Sequence, residues 1–353
     1  MSHAKSQRVT QRTIAQLAGV SQATVSLVLN GKADAASRIP ESTRRRVLDA
    51  IAETTYVADP AARSLAGVGN NLVGIFTYEP AFPQETSDFY APLLVGIETT
   101  AESLGVDLLM FTSAPIVDGR RQLFHEKNRL RLADGCLLLG QKMDNGELNR
   151  LVDSGYPFVA IGRRDDPDGR IPYVGVDYAN ATATLAELAL DQGHERFYSL
   201  YVHTDAESTR DRQSGLVRVL DEAGIQLTRA TTDGSDLDTA WRAIKRAQPT
   251  VLFVEDATHA QLLVELAVAD DVDIPNDLSI VVLGERTRPS THALDFTRLS
   301  APRPQLGSSA ITLLYQIMNG TTDAVEPLPH RQLLECAIIE GATLGPPRNG
   351  SNL

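Results

Sequence analysis

From Leu72 onward, short apolar runs alternate with amphipathic helical stretches, and this alternation narrows the possible folds more than any other feature of the chain. LVGIFTY is followed by LLVGIETTAESLG, VDLLMF, DGRRQLFHEKNRLRL, DGCLLLG, NGELNRLVDSG and PFVAIG. Strands separated by helices cannot pair as hairpins, so they form a parallel sheet covered on both faces. The series starts again near Tyr173, with YVGVD, ATATLAELALDQG, RFYSLYV, SGLVRVLDEAG, LDTAWRAIKRAQ, TVLFVED, HAQLLVELAVADD and LSIVVLG. Two similar α/β lobes are expected. After Ala301 the helix-like PRPQLGSSAITLLYQIMNG and the strand-like RQLLECAII finish the fold, and GATLGPPRNGSNL reads as a loop-like tail.

The first fifty residues follow another rule. TIAQLAG, QATVSLVLN and ESTRRRVLDAIAE each carry apolar residues three and four apart, which predicts three short helices between Thr10 and Thr54. YVADPAARSLAGVGNN then reads as a linker with an embedded helical turn or two, opened by Pro60 and closed by Gly67 and Gly69. The 353 residues suffice for two or three packed domains.

Charge separates the same two regions. The whole chain has 33 Lys and Arg against 45 Asp and Glu, a formal net charge of -12, which excludes a uniformly basic nucleic-acid binder. Residues 1–67, however, carry nine cations and five anions, a balance of +4, and the remaining 286 residues balance at -16. Opposite signs imply two jobs.

Within the head, QRTIAQLAGVSQATVSLVLN has the spacing of a helix-turn-helix. Small Ala15 lets two helices cross closely, Gly19 permits the left-handed backbone of a tight turn, and Val20 and Val25 seal the core. Ser21 is placed to cap the second helix. That helix would present Gln22, Ala23, Ser26, Leu27 and Asn30 to a major groove, with Thr10, Ser21 and Thr24 at phosphates. Gln22 is the most capable base reader, because its amide pairs bidentately with adenine. Arg44, Arg45 and Arg46 add a basic cluster.

At these residues the chain resembles the LacI-type bacterial transcription regulators, and the resemblance runs over nearly its whole length. TIAQLAGVSQATVSLVLNG, ESTRRRVLDAIAETTY and the hinge-like YVADPAARSLAG carry it most specifically. LVGI, LLVGIE, VGVD, DQGHERF, DRQSGL and NDLSIVVLG support it more weakly. The resemblance implies a homodimer on a near-palindromic double-stranded operator. It also implies a hinge helix that orders on cognate DNA, with Leu65 wedged into the minor groove; an apolar wedge unstacks one step and bends the duplex onto more protein surface. Two departures stand out. Leu27 replaces the arginine that most relatives carry, so the operator should differ from the usual half-site. KADAASRIP is longer than the usual connection to the third helix, and Ala58 stands where proline is common.

For the body the resemblance extends to periplasmic sugar-binding proteins, whose small polar ligand sits where loops follow the strands. It places Phe89 and Tyr90 at an aromatic position, Arg163 after PFVAIG, and Arg212 of DRQSGL as a ligand-clamping arginine. Glu255 follows TVLFV and Glu285 follows SIVVLG, where relatives more often have an amide and a tyrosine. An aromatic face on a sugar ring, with arginine and carboxylates on its hydroxyls, suits such a site. A plain core, interface or ion-pair role remains open for each.

The expected organisation is therefore an α/β two-lobed periplasmic-binding-protein-like body behind an all-α helix-turn-helix domain. The head spans 8–56, the hinge and linker 57–70 and the body 71–345. Lobe one takes about 71–172 plus 302–328, lobe two about 173–301 plus 329–345, and 346–353 is a flexible tail. The expected function is a transcription regulator, a repressor, whose operator affinity answers to a sugar-like effector. The alternatives are a cytosolic solute-binding or sugar-metabolising protein with a regulatory head.

Catalytic signatures are missing: there is no GxxxxGK[ST], HExxH, GxSxG or CxxC, and GVGNNL lacks the third glycine of a dinucleotide fingerprint. No cofactor or metal is expected. Cys136 and Cys336 read as reduced thiols, the former buried in CLLLG. His194 is expected to make a structural hydrogen bond, and the acid pairs Asp165–Asp166 and Asp270–Asp271 to be solvated. MSHAKSQRVTQRT has no apolar export core, which places the protein in the cytosol with no membrane partner. Nothing beyond Ile339 shows apolar heptads, so a dimer is expected rather than a tetramer.

Overall fold

A computed structural model describes residues 9–30, 39–54, 56, 69–79, 87–117, 119–126, 128–285, 294–320 and 330–348. Head and body are separate compact units. In the head, α1 (Gln11–Ala18), α2 (Gln22–Asn30) and α3 (Glu41–Ala52) follow the three apolar patterns. Thr10 caps α1 through a capping box: its Oγ1 accepts from Thr13 N at 3.3 Å, and its own N–H donates to Thr13 Oγ1 at 3.3 Å. Gly19 ends α1 at φ +62 and ψ +42 and sends its N–H back to the carbonyls of Ala15 and Gln16. Any side chain would be strained in that left-handed turn. Ile14, Ala15, Ala18, Val25, Val47 and Ala50 are buried together, with Val20 packed against them, so the spacing that predicts the turn also builds the core.

The body runs β1 (Leu72–Thr77), α4 (Ser87–Leu104), β2 (Asp107–Phe111), the short β3 (Ile116–Val117) and β4 (Arg120–Arg121), β5 (Gly135–Leu139), α5 (Asn145–Asp153), β6 (Phe158–Ile161) and β7 (Tyr173–Val176). It continues through α6 (Tyr178–Asp191), β8 (Phe197–Val202), α7 (Glu207–Glu222), β9 (Leu227–Thr232), α8 (Leu237–Ala247), β10 (Val251–Val254), α9 (Ala257–Ala269), β11 (Ser279–Val282) and β12 (Thr297–Ser300). It closes with α10 (Arg303–Asn319), β13 (Arg331–Leu334) and β14 (Ala337–Ile339). Lobe one is a six-stranded sheet of order β13-β7-β6-β5-β1-β2, and lobe two one of order β14-β12-β11-β10-β8-β9. The β1–β5, β5–β6, β6–β7 and β7–β13 pairings are parallel in the first, and β9–β8, β8–β10, β10–β11 and β11–β12 in the second; β14 is antiparallel to β12. Apolar clusters cover both faces of each sheet, as parallel sheets require.

The chain changes lobe three times, and here the sequence reading is corrected. The expected boundary at residue 173 falls one strand early, because β7 pairs with β6 and β13 inside lobe one. RQLLECAII is two strands rather than one: it breaks at Glu335–Cys336, and the halves join different sheets. DGRRQLFHEKNRLRL forms no long helix. Asn128 instead accepts from Leu130 N at 2.7 Å and donates to the Leu123 carbonyl at 2.6 Å, holding a turn that ends in one 3₁₀ turn at Leu130–Leu132. The loop-like tail is also tied down. Thr343 exchanges bonds with Ile280, and Arg348 pairs with Asp277 at 3.1 Å and Asp273 at 3.2 Å.

Among the described residues no helix is long and apolar enough to cross a membrane, and no group of three or more His, Cys, Asp or Glu is placed to hold a metal.

Candidate functional site

Two sites are built independently. In the head, the first turn of α2 is shaped by Ser21, whose Oγ accepts from Thr24 N at 3.1 Å and meets the Thr24 hydroxyl at 2.9 Å. That cap fixes the Ser21 and Thr24 hydroxyls at the helix end, as the Thr10 hydroxyl is fixed at the start of α1. Gln22 and Ala23 are exposed, Leu27 is 40% exposed and Ser26 is half-buried, so one face of α2 stands clear of the head's core. Arg44, Arg45 and Arg46 are all exposed on α3. The Asn30 side chain, Leu65 and most of the hinge lie outside the described residues.

In the body, the carboxyl ends of both sheets meet along a seam. On the lobe-two side, Arg212 in α7 is buried with its guanidinium carbon 3.6 Å from the centre of the Tyr178 ring. Its Nε donates to the Leu283 carbonyl at 2.7 Å and its Nη1 to the Ser208 carbonyl at 3.0 Å, and Nη1 lies 3.6 Å from Glu255 Oε1. Gly215 lets α7 approach this close to α6, because a side chain there would sit 2.1 Å from the Ala179 carbonyl oxygen. Glu255 also accepts from Val202 N at 3.0 Å and Thr209 Oγ1 at 2.6 Å. Glu285 accepts from Ser300 Oγ at 2.5 Å and pairs with Arg303 at 3.2 Å. Arg212, within α7, and Glu255 and Glu285, which follow strands, are therefore brought to one edge.

On the lobe-one side Tyr90 is buried in α4, not in a loop, and its hydroxyl donates to Glu79 Oε2 at 3.2 Å. Burial and the Glu79 carboxylate together push that phenol above its usual range. Glu79 Oε1 also accepts from Gln141 N at 3.0 Å and Lys142 N at 3.4 Å. The Phe89 side chain lies outside the described residues.

Arg163 is at the seam but is already taken. Its Nε and Nη2 each lie 2.7 Å from the Asp211 carboxylate in α7, and its Nη1 lies 2.5 Å from Asp165. These bonds to Asp211 and Asp165 raise its pKa against the opposing effect of burial. The expectation of solvated acid pairs holds for the exposed Asp165, Asp270 and Asp271 and is corrected for Asp166. Asp165 joins Arg163 and Arg210, and Asp166 is buried, accepting from Ile171 N at 2.6 Å and pairing with Arg331 at 3.2 Å. Asp270 likewise holds Lys245 and the Trp241 indole N–H, the latter at 2.7 Å. His194 does make a structural bond, Nε2 to the Gly345 carbonyl at 2.9 Å. Cys136 and Cys336 are buried free thiols.

Among the seam residues that escape the sequence reading are four carrying much of its charge: Glu79, Arg164, Glu207 and Arg303. Arg164 spends its guanidinium on the carbonyls of Gly140, Gln141, Ile161 and Gly162 and on Glu207 at 3.1 Å. Each of the four stands just past a strand end or opens the helix that follows, which is the one pattern that could have marked them.

Comparison with known proteins matches residues 10–59 to the model of the bacterial regulatory proteins of the lacI family. Residues 186–344 match that of the periplasmic binding protein-like domain. Catabolite control protein A of Priestia megaterium is 28% identical over 92% of this chain and 97% of its own length. Among solved structures, the lac repressor dimer bound to operator and an anti-inducer superposes with a TM-score of 0.71 at 20% identity, covering 96% of this chain and all of that one. The complex of the transcriptional regulator CelR with cellobiose superposes at 0.63 and 22% identity, covering 95% of this chain and all of that one.

Proposed function

The chain belongs to the LacI-type family of bacterial transcription regulators, and from that premise we propose that it is an operator-binding repressor whose DNA affinity is set by a small sugar-like effector held at the seam between the lobes. The observation that carries the reading is α2, which leaves Gln22, Ala23 and Leu27 exposed on one capped helix of a helix-turn-helix. Such a helix fits a major groove, and the exposed arginines of α3 supply phosphate contacts. Arg212 supports the effector half of the proposal. It is anchored through Nε and Nη1 and lies over the Tyr178 ring, which holds the guanidinium where it can donate to a ligand hydroxyl. That a solved relative holds cellobiose supports a carbohydrate.

Two copies are proposed to bind a near-palindromic operator, each head taking half, with Leu65 wedged at the central step. Thr10, Ser21 and Thr24 are assigned to phosphates and Gln22, Ala23, Ser26, Leu27 and Asn30 to the groove. Phe89, Tyr90, Arg212, Glu255 and Glu285 are assigned to the effector, and Arg163, expected beside them, is assigned to joining the lobes through Asp211. The effector acts by binding one arrangement of the lobes more tightly than another, which typically yields about 1–3 kcal/mol of coupling. Selection of bound fragments from a random duplex pool by the purified chain tests the proposal. An enriched inverted repeat is expected, and a pool that stays random after repeated rounds would overturn it.

A further inference from the structure

Most of the charges at the seam are paired with a partner of opposite sign. Arg163 is held by Asp211, Arg164 by Glu207, Arg210 by Asp165 and Lys142 by Asp205, and each of these ion pairs joins lobe one to lobe two. Arg212 lies against Glu255, and Arg303 of α10 against Glu285 of lobe two. Arg121, the other cation beside Glu79, spends Nη1 on Thr77 Oγ1 at 3.0 Å and the Glu79 carbonyl at 3.0 Å.

We infer that the effector site takes an uncharged, polyhydroxylated ligand and refuses phosphorylated or carboxylate ligands. The inference rests on the reading of this seam as the effector site and narrows the class of ligand. A phosphate or carboxylate bound against the buried Arg164 and Arg212 needs a counter-charge to replace the hydration it loses there. The cations named above that pair with carboxylates already have one, and the two most deeply placed, Arg164 and Arg212, also have their guanidinium donors directed at backbone carbonyls. An anion could claim Arg164 or Arg163 only by expelling Glu207 or Asp211, and would thereby break the contact that joins the lobes. Hydroxyls face no such exclusion, since each both donates and accepts. They can donate to the carboxylates of Glu79, Glu255 and Glu285, each of which offers more lone pairs than it has donors, and accept from the Arg212 guanidinium.

Glu207 and Asp211 thus act as built-in counter-anions, and removing one should open the site to anions. The test is thermal unfolding of the full chain against inorganic phosphate and glucose 6-phosphate, with sodium chloride at matched ionic strength as control. The wild type should show no saturable rise in Tm with either anion. Glu207→Gln, which keeps the shape but frees Arg164, should gain a saturable rise of about 3 °C at ~10 mM phosphate. If that variant fails to fold, Asp211→Asn, which frees the more exposed Arg163, should gain the same response. Saturable stabilisation of the wild type by either anion overturns the inference, as does the absence of any gain in every folded variant. Sequence-selective duplex binding, measured on the same preparations, reports separately on the underlying function. Its loss would sink that reading while leaving the charge result interpretable.

Discussion

Arg164 and Glu207 meet across the two lobes, Nη1 to Oε2 at 3.1 Å, with side chains 5% and 13% exposed. They are 43 residues apart in sequence. Burial lowers the arginine's pKa, and the nearby Glu207 and Glu79 carboxylates oppose that effect. A pair this dry adds modest net stability, yet breaking it strands a charge. A double-mutant cycle on Arg164→Met and Glu207→Gln, read by urea unfolding, should return a coupling of about 1–3 kcal/mol. The solvent-facing pair Arg170–Asp153 should return none above error. Equal couplings for the two pairs would refute the assignment of Arg164–Glu207 as a seam bond.

Arg212→Lys keeps the charge near Glu255 but cannot lie flat on Tyr178 while reaching the carbonyls of Leu283 and Ser208. The variant should bind operator as the wild type does and lose most of the effector-induced change in affinity, a loss of roughly tenfold or more in coupling. Titration of operator with and without effector checks this, and an unchanged effector response would remove Arg212 from the site.

In the head, Gln22→Ala and Arg45→Ala should fail differently. Removing Gln22 should narrow the gap between operator and scrambled duplex by about 1–3 kcal/mol, because a base contact is lost. Removing Arg45 should weaken both duplexes alike and reduce the salt slope by about 1, because a phosphate contact is lost. Fluorescence anisotropy at several salt concentrations separates the two patterns. Identical behaviour of both variants would mean that Gln22 is not a base reader.

His194 gives the body an acid limb. It is 1% exposed, it bonds Gly345, and burial pushes its pKa down to about 4, well below the 6.5 of a free imidazole. The folded state therefore keeps the ring neutral while the unfolded chain protonates it near pH 6.5. Its contribution is complete above pH 6.5 and drains as pH falls toward 4, by at most about 3 kcal/mol. Replacing it by Gln, which can still donate to Gly345, should flatten that part of the stability profile. A variant as pH-sensitive as the wild type between pH 6.5 and 4 would assign the loss to other groups.

Gly19→Ala isolates the backbone cost of the turn, because the added methyl meets nothing nearer than Arg46 Nη1 at 3.7 Å. Holding a non-glycine residue at φ +62 costs about 1 kcal/mol. Thermal unfolding of the head should shift by that amount, and no shift would mean the turn relaxes.

Much of this fold is legible in the chain because parallel strands and amphipathic helices bury different periodicities. VGIF and TVLFV are buried throughout, and ATATLAELALD turns one face to its lobe's core. LTRATT escapes notice because β9 is an edge strand with no fully buried residue, and TRLS because β12 is only four residues long. No local pattern says which sheet YVGVD joins, since that depends on β13, more than 150 residues later. The same holds for the site. Glu255 is readable from a strand end and Arg212 from the resemblance of DRQSGL, whereas Arg163 pairs with Asp211, and Arg164 with Glu207, only once two lobes have been folded against each other.

The central claim is that a cationic helical head holds a specific duplex and that the anionic body controls how tightly. Fluorescence anisotropy of the intact protein on its selected inverted repeat and on a scrambled duplex, at ~150 mM salt and across a panel of neutral sugars and polyols, tests it most directly. The account predicts a preference for the repeat of at least about 10³ and a shift of about tenfold or more with one neutral ligand. Equal affinity for both duplexes under every condition would contradict it.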